Sequence, residues 1–383
     1  MLTSDGTWVR KDRVGERGIV SLPSTNAHLT ARAKVALYGV ASRSPGLRRV
    51  RDEYLRWKML RAIRSLGTTL PASTIRLCDE YAIEVLGDRS YSPQLFLYST
   101  IAGAFKDGWL PHRYYYGVVI PSVNGAYGHI AFLKALVPVV HSTASYPDLA
   151  YQVNGFLYDL TYQQIERSHL ERMLFETSER IVFKGDFGSQ GRGVRVLERG
   201  SVEWEVVYRS GNGVFQAYVD QHEFFAEYVR TSVATVRLTT AIDASGSPEV
   251  KASYLRLGRQ DDTHVRSTSA IRVPVDPSSG RLGPLGYLPS WHSLSAHPDS
   301  AIPFTDREIP SFQTCKSTVL ALHRQMPLCR IVGWDVIVDA EDRIRVLEWN
   351  GAGPYIEFSE ATQGPCFKDL GWHELAKSTP TVV

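Results

Sequence analysis

The segment RIVFKGDFGSQGRGVRVL, residues 180–197, contains two apolar runs separated by a glycine-rich turn. The first run carries Lys184, and the turn contains Gly188, Gly191 and Gly193. Because the residues after the turn alternate again as a strand does, the segment predicts a hairpin rather than a strand leading into a helix. Its spacing matches neither a Walker loop nor a dinucleotide-binding fingerprint. Two interpretations remain open: an ordinary hairpin turn, or a flap whose backbone N–H groups and lysine close over a polyphosphate.

Two carboxylates near the C-terminus occupy positions where hydrophobic residues are expected. Residues 330–339, RIVGWDVIVD, and 343–350, RIRVLEWN, are typical of two strands joined by a short loop. Alternation along these strands places Asp335 and Glu348 on faces shared with isoleucine and valine side chains. If the loop comprises residues 340–343, the pattern predicts that the two acids lie directly opposite each other.

Two neighbouring carboxylates repel each other unless a positive charge compensates them. Asn350 lies two residues beyond Glu348, about 7 Å along the strand, and adds a neutral oxygen. This set of oxygen ligands favours Mg²⁺ held jointly with phosphates. The alternative is that arginines of the same strands pair with the acids, namely Arg330, Arg343 and Arg345.

Composition and charge exclude some classes of function. The chain has 383 residues, and its net charge of +3 implies no general attraction to nucleic acid. Residues 1–64 nevertheless hold 14 Lys/Arg against 5 Asp/Glu. This basic head indicates either a contact with an acidic partner or an anionic surface, or simply a solvated helix face and terminus.

The cysteines and the apolar runs indicate a cytoplasmic protein without a transmembrane segment. The four cysteines form no CxxC pair or metal-ligand spacing, which is typical of reduced, idle thiols. The best apolar run, IAFLKALVPVV at 130–140, is too short to span a bilayer and is interrupted by Lys134 and Pro138.

Periodicity along the rest of the chain predicts an α+β protein with antiparallel sheets. The predicted helices cover residues 51–67, 160–177 and 311–326. The predicted strands, besides those above, cover residues 114–121, 214–219, 232–243 and 250–258. Residues 274–312 form a Pro/Ser/Gly-rich region whose length favours a lid or a substrate contact over a simple connection.

A lysine strand, a glycine-rich flap, a following strand QAYV and a C-terminal LEWN resemble the ATP-grasp superfamily in order and separation. Further segments resemble the sugar-transfer-associated ATP-grasp proteins, including NGFLYDLTYQQIERSHL at 154–170, HPDSAIPFTDREIPSF at 297–312 and IVGWDVIV at 331–338. The resemblance covers roughly residues 90–370. It implies an α+β ATP-grasp fold in which two lobes clamp ATP between antiparallel sheets. The implied organisation is a basic, partly helical region 1–145, a small lobe 146–215 and a large lobe 216–383.

The resemblance also implies roles for individual residues. Lys184 contacts the α- or β-phosphate, and the flap comprises Gly188, Ser189, Gln190, Gly191, Arg192 and Gly193. The hinge toward adenine comprises Gln216, Ala217, Tyr218 and Val219, and Glu223 holds the ribose hydroxyls. The ligands of Mg²⁺ are Asp335, Glu348 and Asn350.

The sequence departs from the superfamily at two positions. Gly185 follows the flap lysine where a proline is usual. Gly333 stands where ligases often place an arginine, so Arg237 or Arg256 is predicted to supply that charge. Lys134 is a weak candidate for the superfamily's second phosphate lysine and is interpreted as a surface residue.

The function implied is that of an ATP- and Mg²⁺-dependent carboxylate–amine ligase that forms an amide through an acyl phosphate, in polysaccharide or secondary-metabolite assembly. Its partners are a small carboxylate and a small amine, with sugar-linked substrates among the options, and no nucleic acid. The alternatives are a kinase-like phosphotransferase and a non-catalytic nucleotide-binding scaffold; the oligomeric state is left open. After the metal motif, Glu357, Ser359 and Gln363 are either substrate contacts or parts of a packed helix. Three histidines are interpreted as loop or packing residues: His222, His292 and His297.

Overall fold

The computed structural model describes residues 45–141, 145–176, 178–188, 193–260 and 269–378. By its internal contacts the chain divides into two units, Met1–Leu55 and Arg56–Val383. Residues 45–55, the described part of the first unit, are helical. Both sheets of the protein belong to the second unit.

The described residues form twelve α-helices and twelve strands, with 3₁₀ turns and one π-helical turn, Tyr115–Val119, between them. The helices are α1 Pro45–Ser65, α2 Ala72–Glu84, α3 Ser92–Ala102, α4 His112–Tyr114, α5 Ile120–Val123, α6 Val137–Val140, α7 Arg167–Leu174, α8 Trp204–Arg209, α9 Glu223–Ala226, α10 Phe312–Gln325, α11 Glu357–Gln363 and α12 Leu375–Ser378. The strands are β1 Asp148–Val153, β2 Phe156–Tyr158, β3 Arg180–Gly185, β4 Val194–Glu198, β5 Gly213–Ala217, β6 Thr235–Ile242, β7 Pro248–Leu257, β8 Ile271–Val275, β9 Gly286–Tyr287, β10 Ser293–Leu294, β11 Ile331–Val338 and β12 Ile344–Asn350.

The first sheet has five antiparallel strands in the order β2-β1-β5-β3-β4. Alternation decides its two faces, since Ile181 and Phe183 of β3 are fully buried while their neighbours along the strand are only half-buried or exposed. These side chains pack against Leu170 and Leu174 of α7. The opposite face of β3 and β4 is therefore left to line a cavity.

The second sheet has seven antiparallel strands in the order β10-β9-β8-β7-β6-β11-β12. Its strands β6 and β11 are buried along their whole length, although β6 carries Arg237 and three threonines. Helix α10 covers one face with Cys315, Val319 and Leu322. Arg237 of β6 and Asp335 of β11 line the cavity.

A third apolar cluster connects the helices before the first sheet with the C-terminal segment. Trp109 and Tyr115 are fully buried in it, and Trp372 is 1% exposed. The Trp109 indole donates to the carbonyl of Glu360 on α11 at 2.8 Å. The C-terminal helix is thereby held beside the early helices, although some 250 residues separate them in sequence.

Residues 114–121, predicted as a strand, are helical, and that prediction is wrong. The segment comprises the end of α4, the π-helical turn Tyr115–Val119 and the start of α5, with Pro121 in the first turn of α5. Tyr114, Tyr115 and Val119 are all fully buried. A short continuous apolar run does not distinguish a buried helix from a buried strand, which is why periodicity failed here.

The helix predicted over 160–177 is shorter than expected, because α7 covers only Arg167–Leu174. Asp159 accepts hydrogen bonds from the backbone N–H groups of Thr161 and Gln163 at 2.8 and 2.9 Å. This side-chain-to-backbone turn satisfies N–H groups that a helix would otherwise use. Strands β1, β2 and β8 and the short strands β9 and β10 were not predicted.

The other predicted elements are confirmed. Helices 51–67 and 311–326 correspond to α1 and α10, and the remaining predicted strands to β5, β6, β7, β11 and β12. All four cysteines are free, three of them buried. Among the described residues, no helix has both the length and the apolar character needed to cross a membrane.

Candidate active site

A cavity of about 920 Å³ lies between the two sheets of the second unit. The first sheet contributes Val182, Lys184 and Gln216, and the second contributes Arg237 and Glu348, among other residues. Thirteen of the sequence-predicted site residues belong to the described part of the chain. Those that line the cavity are Lys184, Gly188, Gln216, Ala217, Tyr218, Val219, Arg237, Arg256, Asp335, Glu348 and Asn350.

The apolar end of the cavity lies under the hairpin of β3 and β4. Val182, Val194 and Val196 project from this hairpin into the cavity, and Leu347 of β12 lines it from the second sheet. Because side chains alternate along a strand, these three valines lie on the face of the hairpin opposite to the core of the first sheet. The arrangement forms an apolar slot between two sheets, which suits a flat ring.

The predicted hinge, residues 216–219, lines the cavity with the last two residues of β5 and the two residues that follow. The backbone N–H of Ala217 is already engaged, donating to the carbonyl of Pro147 at 2.7 Å. The side-chain amide nitrogen of Gln216 donates to Asp148 Oδ1 at 2.7 Å. Asp148 thereby fixes the orientation of the Gln216 carboxamide, whose oxygen remains as the acceptor.

Lys184 lies on β3 opposite Val194, at the entrance of the glycine-rich turn. Its ammonium group reaches across to the second sheet and donates to the carbonyl of Leu347 at 3.1 Å. Burial lowers the pKa of Lys184, while the carboxylate of Glu348 acts in the opposite direction. A poorly solvated ammonium group interacts strongly with any anion that replaces its missing water.

The two ends of the predicted flap are described, and residues 189–192, which include Ser189, Gln190, Gly191 and Arg192, lie outside the described residues. Gly188 lines the cavity, and Gly193 has φ of +86°, a conformation that favours glycine. Asp186 accepts a hydrogen bond from the backbone N–H of Lys134 at 3.0 Å. The base of the turn is thereby tied to the helical segment before the first sheet.

The predicted register of the acid pair is confirmed, because Asp335 of β11 pairs directly with Glu348 of β12. Asn350 pairs with Gly333 two residues along the same ladder. The register shifts between Asp335 and Val336, where a bulge locally increases the twist. Glu348 and Asn350 therefore face the cavity together with Asp335.

The charge on Asp335 is compensated by two arginines of the neighbouring strands. Arg237 donates from Nε to Oδ1 at 2.6 Å and from Nη2 to Oδ2 at 3.0 Å, and Arg256 Nη1 lies 3.5 Å from Oδ2. Burial alone raises the pKa of Asp335, but both guanidinium groups outweigh it and hold the pKa below its ordinary value. The alternative partners Arg343 and Arg345 instead bind Asp339, at 2.8 and 3.1 Å.

Packing also accounts for Gly333, where an arginine was expected by resemblance. A Cβ atom at this position would lie 2.6 Å from Pro354 Cβ and 3.3 Å from Arg237 Nη1. Arg237 therefore occupies the space beside residue 333. Arg237 of β6 supplies the guanidinium group that was expected near Asp335.

The interpretation of Lys134 as a surface residue is wrong. Lys134 is only 9% exposed, and its Nζ lies 3.5 Å from Glu348 Oε1. The approach is possible because residue 128 is glycine: a Cβ there would come within 2.2 Å of the carbonyl oxygen of Gly351. A lysine inside the apolar run 130–140 was the sequence signal for this position.

Glu223 was predicted to hold ribose. It is not one of the described residues that line the cavity. It is exposed and forms an ion pair with Arg230. Gln363 also lies apart from the cavity, donating to the carbonyls of Ser253 and Val275 at 2.8 and 2.7 Å. Ser359 is 1% exposed within α11, so these last two residues belong to the packed helix.

The three predicted packing histidines each have a local structural partner. His222 Nδ1 accepts from the backbone N–H of Phe224 at 3.0 Å, and His292 Nδ1 lies 3.0 Å from Ser290 Oγ. His297 is fully buried beside the carbonyl of Gly258. None of the three is among the described residues that line the cavity.

A second group of cavity residues escaped the sequence analysis. It lies beyond Asn350 and comprises His112, Tyr116, Tyr254, Arg272 and Tyr355. Arg272 stacks over the ring of Tyr355, with 5.4 Å between guanidinium carbon and ring centroid. Nδ1 of His112 contacts the carboxylate of Glu357, a residue that was predicted as a substrate contact. The strand predicted for 114–121 concealed this group, because the helical segment carries both His112 and Tyr116 into the cavity.

The donor atoms at the acid pair suit a hard cation. Two carboxylates and a carboxamide, from ladder positions two residues apart, supply oxygen ligands, which are those that Mg²⁺ prefers. The described residues contain no group of three or more His, Cys, Asp or Glu that could hold a metal unaided. The set therefore fits a cation whose remaining ligands come from a phosphate or water.

Two antiparallel sheets enclose one cavity, with a lysine-bearing hairpin on one side and an acid pair on the other. This arrangement is typical of the ATP-grasp class. The chain belongs to the sugar-transfer-associated ATP-grasp family, whose profile matches residues 153–370. No curated protein matches the chain.

Solved structures similar to the chain include an ATP-grasp ligase, a carboxylase domain and a synthetase, all with low sequence identity. The ATP-grasp ligase PsnB with its minimal precursor is 15% identical, with 65% of this chain and 63% of that chain covered and a TM-score of 0.38. N5-carboxyaminoimidazole synthetase from Staphylococcus aureus with ADP is 10% identical, with 65% and 53% covered and a TM-score of 0.40. The biotin carboxylase domain of 2-oxoglutarate carboxylase from Hydrogenobacter thermophilus is 13% identical, with 65% and 46% covered and a TM-score of 0.38. The chain thus spans 46–63% of the length of these structures, and the family assignment rests on the profile match.

Proposed function

We propose that the protein is an ATP- and Mg²⁺-dependent carboxylate–amine ligase. ATP phosphorylates a substrate carboxylate, and an amine then displaces phosphate to form an amide. The observation that carries the proposal is the combination, in one cavity, of an apolar slot, buried cationic groups and an acid pair with oxygen ligands for a cation. Family membership supports the ATP-dependent part of this function.

The charge of the cavity favours a polyanion. Its described lining carries four cationic side chains, Lys184, Arg237, Arg256 and Arg272, against the two carboxylates of Asp335 and Glu348. A cleft with an excess of one charge and low-dielectric walls concentrates ligands of the opposite charge. A nucleoside triphosphate is a polyanion with a flat apolar ring, so it matches both ends of this cavity.

In this proposal the base of the nucleotide occupies the slot formed by Val182, Val194, Val196 and Leu347. The exocyclic amino group of adenine donates to the carboxamide oxygen of Gln216, whose nitrogen is held by Asp148. Since the N–H of Ala217 is used by Pro147, the backbone contacts fall to the following residues of the hinge. The ribose contact of Glu223 stays a proposal and requires the Arg230 ion pair to open.

The phosphates lie between Lys184 on the first sheet and the acid pair on the second. Lys184 and Lys134 bind phosphate oxygens as point charges, since ammonium groups do so without fixed bidentate geometry. Asp335, Glu348 and Asn350 would hold Mg²⁺, which would supply positive charge to neutralise the phosphates. Arg237 and Arg256 keep Asp335 ionised in the absence of the cation.

The reaction requires positioning and charge neutralisation rather than a protein nucleophile. An oxygen of the substrate carboxylate attacks the γ-phosphorus, and the bond to ADP breaks. Arg256 and Arg272 extend from the phosphate end toward the substrate end of the cavity and would orient the anionic substrate. The amine nitrogen then attacks the acyl carbon, and phosphate leaves with the electron pair.

Incubation of the protein with ATP, Mg²⁺, a pooled panel of amino acids and sugar acids, and a pooled panel of amines tests the proposal. A ligase releases ADP and phosphate and yields a product lighter by one water than its two substrates, detected by mass spectrometry. A phosphorylated product without free phosphate would instead identify a phosphotransferase. ATP binding with no turnover across the panel would favour a nucleotide-binding scaffold. Glu348→Gln is the matched control, because it keeps side-chain shape and removes the charge.

The domain organisation, the partners and the location form part of the same proposal. A small lobe over residues 146–215 and a large lobe over 216–383 clamp the nucleotide, and residues 1–145 form the region before them. The substrates are small, with sugar-linked acids and amines first in the panel because of the family's association with sugar transfer. A cytoplasmic location agrees with the four free thiols.

A further inference from the structure

The substrate end of the cavity contains a histidine paired with a half-buried carboxylate. Nδ1 of the His112 imidazole contacts Oε1 of the Glu357 carboxylate. The side chain of His112 is 47% exposed and lines the cavity, whereas that of Glu357 is 16% exposed and lies behind it. The second ring nitrogen, Nε2, is therefore the atom left to meet a ligand.

Further contacts hold both members of this pair in place. Gln94 donates to Glu357 Oε2 at 3.2 Å, and the Tyr355 hydroxyl also hydrogen-bonds to Glu357. The ring of His112 packs on Tyr116, with 4.6 Å between centroids. A base oriented by a carboxylate that is itself held by neighbours is the arrangement used for proton transfer at active sites.

His112 lines the same cavity as the acid pair of the proposed phosphate site. The Tyr116 hydroxyl donates to the carbonyl of Gly353 at 2.9 Å, and a Cβ atom at Gly353 would come within 2.5 Å of the Tyr116 ring. Gly353 is three residues beyond Asn350, so their Cα atoms are separated by at most about 11 Å. A substrate that extends from the acid pair along this cavity would meet the exposed imidazole of His112.

We propose that His112 is the general base for the amine half of the reaction and that Glu357 is its positioning residue. The inference rests on the proposed ligase function. As the amine nitrogen forms a bond to the acyl carbon, the C–O bond to phosphate breaks and phosphate leaves with the electron pair. The proton released from nitrogen moves to Nε2 of His112. The resulting imidazolium is stabilised by Glu357, which keeps Nδ1 protonated throughout.

The experiment separates the two halves of the reaction with two nucleophiles. The carboxylate that stimulates ADP release from the wild-type protein is incubated with ATP and Mg²⁺, and with either hydroxylamine or methylamine. Hydroxylamine is weakly basic and traps an acyl phosphate as a hydroxamate without a general base. Methylamine is protonated at neutral pH and must lose a proton before it attacks.

His112→Phe retains a ring against Tyr116 and removes the base. It should retain the wild-type rate of hydroxamate formation but form N-methylamide about 100-fold more slowly or worse, since positioned general bases contribute roughly 10²–10⁴-fold. Glu357→Gln should show the same split with a smaller loss. The matched control is His222→Asn, which removes the histidine of a second histidine–carboxylate pair, 3.7 Å from Asp342, and preserves a helix cap.

Equal rates of both products in His112→Phe and wild type would overturn the assignment of the base. An equal loss of both products, with ATP affinity retained, would also overturn it, because the residue would then serve carboxylate binding or structure. If the wild-type protein forms no hydroxamate with any carboxylate in the panel, the ligase proposal itself fails. The two products thus distinguish an error in the assignment of His112 and Glu357 from an error in the proposed ligase function.

Discussion

Replacing Lys184 by methionine should weaken ATP binding without weakening the fold. The substitution keeps an unbranched stem of similar length and removes the charge that reaches from β3 to Leu347 of β12. Hydrogen bonds to charged groups contribute about 1.5–3 kcal/mol, which corresponds to a Kd roughly 10- to 150-fold higher. We expect the larger increase in Kd, because burial leaves the Lys184 ammonium group poorly solvated until a phosphate replaces the missing water.

Whereas ATP affinity should fall in Lys184→Met, the stability of the nucleotide-free protein should stay the same or rise. Burial lowers the pKa of Lys184, so the folded state binds this proton less tightly than the unfolded chain does. Stability of the wild-type protein therefore rises as the pH climbs through the lowered pKa toward the unfolded value, and is reduced below it. Methionine removes that cost, so the melting temperature of the nucleotide-free variant should equal or exceed the wild-type value at neutral pH.

Titration calorimetry with a non-hydrolysable ATP analogue and Mg²⁺, at fixed ionic strength, measures the predicted loss of affinity. The control is Lys368→Met, which removes a half-exposed lysine paired with Asp107 at 2.9 Å and outside the described lining of the cavity. An unchanged Kd in Lys184→Met would refute the assignment of this lysine. An equal loss in the control would refute the argument from burial.

Four further outcomes follow from the same structure. Glu348→Gln should abolish turnover and leave the fold intact, since the isosteric amide relieves repulsion with Asp335; normal turnover would contradict the metal role. Arg237→Met should destabilise the fold by about 3–5 kcal/mol in a denaturant titration, because it leaves a buried carboxylate with one distant partner, and no loss would contradict this. Amides of residues 185–195 should gain protection from hydrogen exchange when the ATP analogue binds, and unaltered exchange would favour an ordinary turn. Truncation to residue 45 should spare ATP binding in calorimetry, whereas loss of binding would show that the basic head belongs to the nucleotide domain.

The sequence predicted the part of the site that depends on local periodicity. Alternation along β11 and β12, together with a short connecting loop, was enough to place Asp335 opposite Glu348. The hairpin of β3 and β4, with Lys184 before its turn, followed from a period-2 pattern interrupted by glycines. These features involve neighbours in sequence, so no knowledge of distant contacts was required.

The partners of these residues could not be predicted, because they come from distant segments. Arg237 is separated from Asp335 by 98 residues, and Lys134 from Glu348 by 214. The approach of Lys134 depends on the packing of Gly128 against Gly351, which no local pattern reveals. His112 was hidden for another reason: a continuous apolar run was interpreted as a strand although it is helical.

The central claim is that an acyl phosphate forms in this cavity, and isotope transfer tests it most directly. The stimulating carboxylate is labelled with ¹⁸O in both oxygens and incubated with ATP, Mg²⁺ and an amine. Transfer of one ¹⁸O atom from the carboxylate into the released phosphate, measured by mass spectrometry, is the predicted result. Release of phosphate that carries no ¹⁸O would contradict the claim, because the phosphoryl group would then have been transferred to water.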